Sequence, residues 1–108
     1  MFAINQDIEK HIVDAKITRK VLGTGGSLML VEVHFNEGGI GLPHSHAEHE
    51  QVSYIVKGSF RATVGEEERV LYQGDSFYAG KNVEHGLVAL EDSIILDVFT
   101  PIRQDFIK

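Results

Sequence analysis

The sequence predicts an all-β fold, a sandwich or barrel of short strands, and three observations carry that expectation. Glycines and Asn/Asp pairs punctuate the chain about every ten residues, at 23–26 (GTGG), 36–39 (NEGG), Gly58, Gly65, 74–75 and 91–92. Between them lie short runs rich in β-branched and aromatic residues, clearest at 31–35, 52–56, 60–64, 70–72, 83–90 and 94–99. Evenly spaced strands with turn signals are the pattern of sandwiches and barrels. The third observation is period-2 alternation. Met29, Val31, Val33 and Phe35 share one face of their run and are expected in the core, while Glu32 and His34 share the other, exposed or at a subunit contact. The segment 4–14 is the one helix candidate, on weak periodicity.

The last run, SIILDVFT, places Ile95, Asp97 and Phe99 on one face and Ile94, Leu96 and Val98 on the other. An acid with apolar neighbours on both faces is a poor surface residue, so Asp97 is expected on a cavity wall. The chain's 108 residues suit one domain spanning 1–108, with enough apolar residues for a core. It has no cysteine, which excludes disulfides, thiolate metal sites and a cysteine nucleophile. A formal charge of −6 argues against nucleic acid and anionic membranes as partners. No apolar run approaches membrane-spanning length and the first residues lack signal-peptide character, so a cytoplasmic protein is expected.

The strongest local signal lies in GGIGLPHSHAEHEQVSYIVKG. His44 and His46 are two residues apart, so on an extended backbone both imidazoles project to one side and can grip one cation. The segment resembles the first motif of the cupins, in which a glycine, His-x-His, a glutamate after a loose gap of three or four residues, and a closing glycine recur, and both Glu50 and Gln51 fit that gap. Five residues separate Gly38 from His44, and six separate Gln51 from the closing Gly58, so Gln51 takes the acid's position and Glu50 should face the opposite way. GDSFYAGKNVEHG resembles the second motif, with Gly74 and His85 at the family spacing. Gly80 stands where proline is usual, Asn82 where glycine is usual and Ala89 where asparagine is usual. The resemblance implies a jelly-roll barrel, the double-stranded β-helix, with one divalent metal on His44, His46, Gln51 and His85.

All four of those ligands are neutral. Hard Ca²⁺ and Mg²⁺ prefer anionic oxygens, whereas imidazole-rich sites suit Zn, Ni, Fe, Mn or Cu, among which the sequence does not choose. The ion would keep its full charge and act as a Lewis acid toward an anionic oxygen. A degenerate, metal-free barrel is the bland alternative, and a three-histidine site with Gln51 behind it is another. His11, His34 and His49 lack partners at useful spacing and read as ordinary solvated or boundary histidines.

From about Leu28 to Phe106 the chain is similar to the KdgF cupins of pectin degradation, and the string DVFTPIRQDF is the discriminating part. That resemblance implies an enzyme converting 4,5-unsaturated monouronates from pectin or alginate into the linear ketonised sugar acid. It also implies roles for Asp97, Phe99 and Arg103. The residue types suit the chemistry: a base at the anomeric hydroxyl for Asp97, a planar fork for the carboxylate in Arg103, a water-excluding wall in Phe99. Each has a plainer reading: a structural acid paired with Arg103, an exposed tail charge, and ordinary core. The resemblance leaves room for another metal-cupin reaction (dioxygenase, lyase or isomerase) or for a non-enzymatic sugar-acid sensor. A small barrel has sheet edges, so a homodimer is expected, with residues 1–15 packing on the partner subunit.

Overall fold

In the computed structural model, which describes residues 1–107, the β-rich runs pair into two antiparallel sheets. The strands in chain order are β1 (His11–Asp14), β2 (Ile17–Gly25), β3 (Leu28–Phe35), β4 (Ile40–His44), β5 (Glu50–Lys57), β6 (Ser59–Val64), β7 (Glu67–Tyr72), β8 (Ser76–Ala79), β9 (His85–Ala89) and β10 (Ser93–Thr100). A six-stranded sheet runs β1-β2-β3-β10-β5-β8 and a four-stranded sheet runs β4-β9-β6-β7. Two sheets with strands crossing between them make the jelly roll that the turn spacing and the motifs predict. No helix among the described residues is long and apolar enough to cross a membrane.

The expectation of a helix over 4–14 fails. That segment holds one 3-10 turn, Asn5–Asp7, and then β1, which pairs with β2. A weakly periodic segment has no apolar face to bury as a helix, and the free edge of β2 offers backbone partners instead. The strands β2, β4 and β8 were not among the runs read from the sequence. In β2 the charged pair Arg19–Lys20 masks the alternation, while β4 carries glycine and proline. The expected run 83–90 is trimmed to β9, because residues 80–83 form a turn.

The alternation read for β3 holds. Met29, Val31 and Phe35 are buried and Val33 is half-buried, while His34 is exposed and bonded to the half-buried Glu32 at 2.8 Å. Phe60 and Ala89 of the small sheet pack on Ile17, Phe35, Ile55 and Ile95 of the large one, with the Phe35 and Phe60 rings edge to face at 5.1 Å. A second cluster, Met29, Val31 and Phe99, is covered by Ile102 and Phe106 of the C-terminal segment. Gly58 carries the chain from β5 in one sheet to β6 in the other. Its φ is +83°, and a Cβ there would lie 2.7 Å from Ser93 Cβ and 2.8 Å from the Asp92 carbonyl. Only glycine fits that corner, which is why it closes the first motif.

Candidate metal centre and active-site cavity

Between the sheets lies a cavity of about 400 Å³, lined by His44, Gln51, His85, Asp97, Phe99 and Arg103 among others. Two of these lining residues, His44 and His85, converge with His46. His44, the last residue of β4, is the cross-strand partner of His85, the first residue of β9, and their ring centroids lie 4.4 Å apart. His46 follows in the loop, with its ring 4.7 Å from that of His44 and 5.4 Å from that of His85. The candidate ligand atoms of all three lie within 4.8 Å of one another. Gly86 lets β4 and β9 approach at this point, since a Cβ there would press at 3.2 Å on the Gly41 carbonyl and on Pro43.

The loop carrying His46 is tied down by the turn before β9. Asn82 adopts φ +64°, and its backbone N–H donates to the His46 carbonyl at 2.7 Å. The family's usual glycine is thus replaced by the residue that best tolerates the left-handed region. The departure noted at Asn82 leaves the turn intact.

Hydrogen bonds orient the rings. His44 Nδ1 contacts the Leu42 carbonyl at 2.8 Å and His85 Nδ1 contacts the Val83 carbonyl at 3.0 Å. A carbonyl only accepts, so each Nδ1 carries the proton and each Nε2 keeps its lone pair. Burial, together with Arg103 and the neighbouring histidines, lowers His46 to about 4. Burial also lowers His85, against the Val83 carbonyl, which raises it. Both shifts favour the neutral imidazole at His46 and His85, the form that ligates a cation.

Gln51 is buried on β5, on the same face as Ser53. Its Nε2 donates to Ser53 Oγ at 3.0 Å, and Ser53 Oγ donates to Asp97 Oδ1 at 2.6 Å. The hydroxyl has one proton, and ionised Asp97 can only accept it, so Ser53 must accept from the Gln51 amide. That chain turns Gln51 Oε1 away from Ser53. His46 Nε2, His85 Nε2 and Gln51 Oε1 are the buried side-chain polar atoms without a hydrogen-bond partner among the described residues. Uncompensated buried acceptors are costly, and a divalent cation is the group that satisfies several lone pairs together. The donor set therefore fits a transition metal on neutral nitrogen and amide oxygen. Glu50 faces the other way, as expected, and accepts from Tyr78 Oη at 2.8 Å.

Asp97 lines the cavity, as its sequence setting predicted, and burial is the main cause that pushes its carboxyl up to about 6. The Ser53 hydrogen bond, Arg103 and His44 oppose that rise. Asp97 is not paired with Arg103. The Arg103 side chain is 16% exposed and bonds Asp105 through Nη2 at 2.7 Å and Nε at 3.3 Å. It is no free tail charge, because its guanidinium lies 4.0 Å from the Phe106 centroid and 5.3 Å from that of Phe99. Phe99 is both core and wall: it is 2% exposed, packs with Met29 and Val31, and sets its ring edge to face with His46 at 6.2 Å. His49 stands outside the three-histidine group, with Nε2 3.2 Å from the Ile102 carbonyl.

Two polar residues at the site, Ser53 behind the cavity wall and Arg19 in it, escaped the sequence reading. Ser53 is fully buried and bridges Gln51 to Asp97, and nothing but its i+2 spacing from Gln51 hints at that role. Arg19 lines the cavity. Its signal was available: between Ile17 and Val21 it is a charge on an inward, apolar face, the same pattern that singled out Asp97.

Comparison with known proteins agrees with the fold and the motifs. Residues 31–99 match the cupin domain family. The chain is 45% identical over 92 residues, 84% of each sequence, to the pectin degradation protein KdgF of Dickeya dadantii (strain 3937). The solved structure of KdgF from Halomonas sp. superposes with a TM-score of 0.94 at 40% identity, covering 98% of this chain and 97% of that one. An RmlC-like cupin from Shewanella frigidimarina NCIMB 400 superposes at 0.93 with 37% identity, covering 97% and 94%. Three histidines thus converge in a jelly roll whose sequence and backbone both match these proteins, and the chain belongs to the KdgF family of cupins.

Proposed function

We propose that this protein is a metal-dependent enzyme that opens the ring of 4,5-unsaturated monouronates, released from pectin or alginate, to the linear ketonised sugar acid. The observation that carries the reading is a carboxylate with a near-neutral pKa, Asp97, lining the same cavity as Gln51 and as His44 and His85, which converge with His46. The degradation of pectin named for the Dickeya relative supports the substrate class.

His44, His46, Gln51 and His85 would hold one divalent transition ion, whose contribution is Lewis acidity toward substrate oxygen. Asp97 takes the proton of the anomeric hydroxyl, the C1–O5 bond breaks, and C1 becomes an aldehyde. The electron pair leaves on the former ring oxygen as an enolate conjugated to the carboxylate. Protonation at C4 then gives the 5-ketone. The proton that Asp97 removed is the one it returns, so the reaction is an isomerisation with no co-reactant. A base of pKa about 6 both accepts and returns a proton near neutrality. Ser53 holds its carboxylate in place, Phe99 keeps water from the enolate, and Arg103 binds the substrate carboxylate through Nη1, the nitrogen that Asp105 does not engage.

The same reading has the chain act as one domain within a homodimer. Its support is β1, a sheet-edge strand exposed along its whole length, beside an N-terminus where Met1 and Phe2 are exposed. The test of the reaction uses freshly prepared unsaturated galacturonate monomer and the loss of its double-bond ultraviolet absorbance. Rapid loss with metal-loaded protein, cut to near the spontaneous rate by chelator, is expected. A fully metal-loaded sample that gives no acceleration sinks the reading.

A further inference from the structure

Two guanidiniums meet on one aromatic ring at the rim of the cavity. Arg19 projects inward from β2 with its guanidinium carbon 3.8 Å from the Phe106 centroid, and that of Arg103 lies 4.0 Å from the same centroid. Planar cations held against an aromatic face keep their N–H edges directed sideways, toward whatever lies beside the ring. A single carboxylate, Asp105, is paired at this cluster, and it engages the Nε and Nη2 edge of Arg103. Arg19 is half-buried and makes no side-chain hydrogen bond and no ion pair within 4.0 Å among the described residues. Its donors are unspent, and at the Phe106 ring two guanidiniums stand against the one carboxylate bonded there, while Asp14 and Asp97 line the cavity and Glu9 the adjoining groove. Arg19 borders both the main cavity and a smaller adjoining groove, so an anion in the cavity is within its wall. Burial and the neighbouring Arg103 lower Arg19 while Asp105 raises it, and an incoming anion would act in the same direction as Asp105.

We propose that Arg19 is a second anchoring residue, whose free guanidinium edge shares with Arg103 Nη1 the carboxylate of the anionic sugar acid. Arg103, braced by Asp105 and Phe106, supplies the companion charge. This rests on the ring-opening reading for the identity of the substrate and on the cavity geometry for the carboxylate. The residue sets specificity: it favours uronates over neutral sugars of the same shape, and it acts on binding more than on the chemical step.

The test replaces Arg19 by Met, which keeps an unbranched stem over Phe106 and removes every donor, and by Lys, which keeps the charge without the fork. Two readouts are taken on metal-loaded protein: turnover of the unsaturated monomer, and calorimetric binding of saturated galacturonate, which has no double bond to ketonise. Arg19→Met is expected to raise KM and the galacturonate Kd by about 10- to 100-fold, the worth of a charge-assisted pair. Its kcat should stay within about 3-fold, and Arg19→Lys should recover part of the loss. A purely structural role would instead lower the melting temperature and kcat without this split. Wild-type turnover with KM and Kd unmoved in Arg19→Met overturns the inference and leaves the reaction standing. Absent turnover with Arg19-dependent galacturonate binding overturns the reaction and keeps the inference. Failure of the wild type to bind galacturonate, with no turnover, removes both. If Arg19→Met does not fold, Arg19→Lys carries the same test.

Discussion

At Asp97 the needs of folding and of chemistry pull in opposite directions. Its carboxyl titrates near 6 in the folded protein because burial penalises the charge, against an ordinary value of 3.8. Between those values the folded state holds a proton that the unfolded state has released, so stability falls as pH rises through this window and the full cost is present above it. Two pH units correspond to about 3 kcal/mol at most. Asn at this position keeps an oxygen to accept from Ser53 and has nothing to ionise. Metal-free Asp97→Asn is therefore expected to melt about 10 °C above metal-free wild type at pH 8 and to converge with it below pH 4. The same variant should lose turnover. A melting gap that is independent of pH would remove the burial penalty from the account. In active protein kcat/KM should rise with pH through about 6 or lower, since a divalent cation at the histidines further favours the carboxylate. This residue was legible in sequence because a charge with apolar neighbours is conspicuous. Arg19 sent the same signal from β2, but without a nearby motif to draw attention to it. The plainer alternative of an Asp97–Arg103 pair is not what the structure shows, because Asp105, two residues from Arg103, bonds the guanidinium instead.

The turn between β8 and β9 shows how an element places a ligand. The Val83 N–H bonds the Gly80 carbonyl at 3.2 Å, and Asn82 in the left-handed region sends its own N–H to His46. Asn82→Gly should preserve both features and bind metal within a few-fold of wild type. Asn82→Val forces a β-branched residue to positive φ, a strain of about 1–3 kcal/mol that the turn escapes by opening. The His46 loop then loses its tether, and metal affinity should fall about 10-fold or more, as it does when supports of a ligand are removed. Competition with a chromogenic chelator measures it, and unchanged affinity in Asn82→Val would detach the turn from the site. Motif spacing made His44, His46 and His85 readable, because strand period and turn length fix where side chains point. Edge elements were less readable. The pairing that makes β1 a strand is made by β2, itself disguised by charges, so local periodicity favoured a helix that no tertiary partner supports.

At the scale of the whole molecule, the large sheet leaves unpartnered apolar surface. β1 has no neighbour on its outer side, and Ile12 is 72% exposed. On the outer face Val98, Val52 and Tyr78 are cross-strand neighbours in one row across β10, β5 and β8, all exposed. An isolated chain of 12.0 kDa with an open edge and an apolar face has a strong tendency to associate. A two-fold pairing of β1 edges, with the N-terminal segment laid on the partner, is the proposed arrangement and would cover the edge without creating a filament. Sedimentation equilibrium should give twice the mass of one chain. Ile12→Lys places a charge on the edge, the device natural sheets use to block pairing, and should shift the protein to monomer at low micromolar concentration. Val13, the next residue of β1, lines the active-site cavity. Release of the edge should therefore loosen one cavity wall, so the monomeric variant is expected to show a KM several-fold above wild type. Wild type that sediments as a monomer at every concentration would sink the homodimer. A dimer that Ile12→Lys leaves intact would move the interface from the β1 edge to the Val98, Val52 and Tyr78 face.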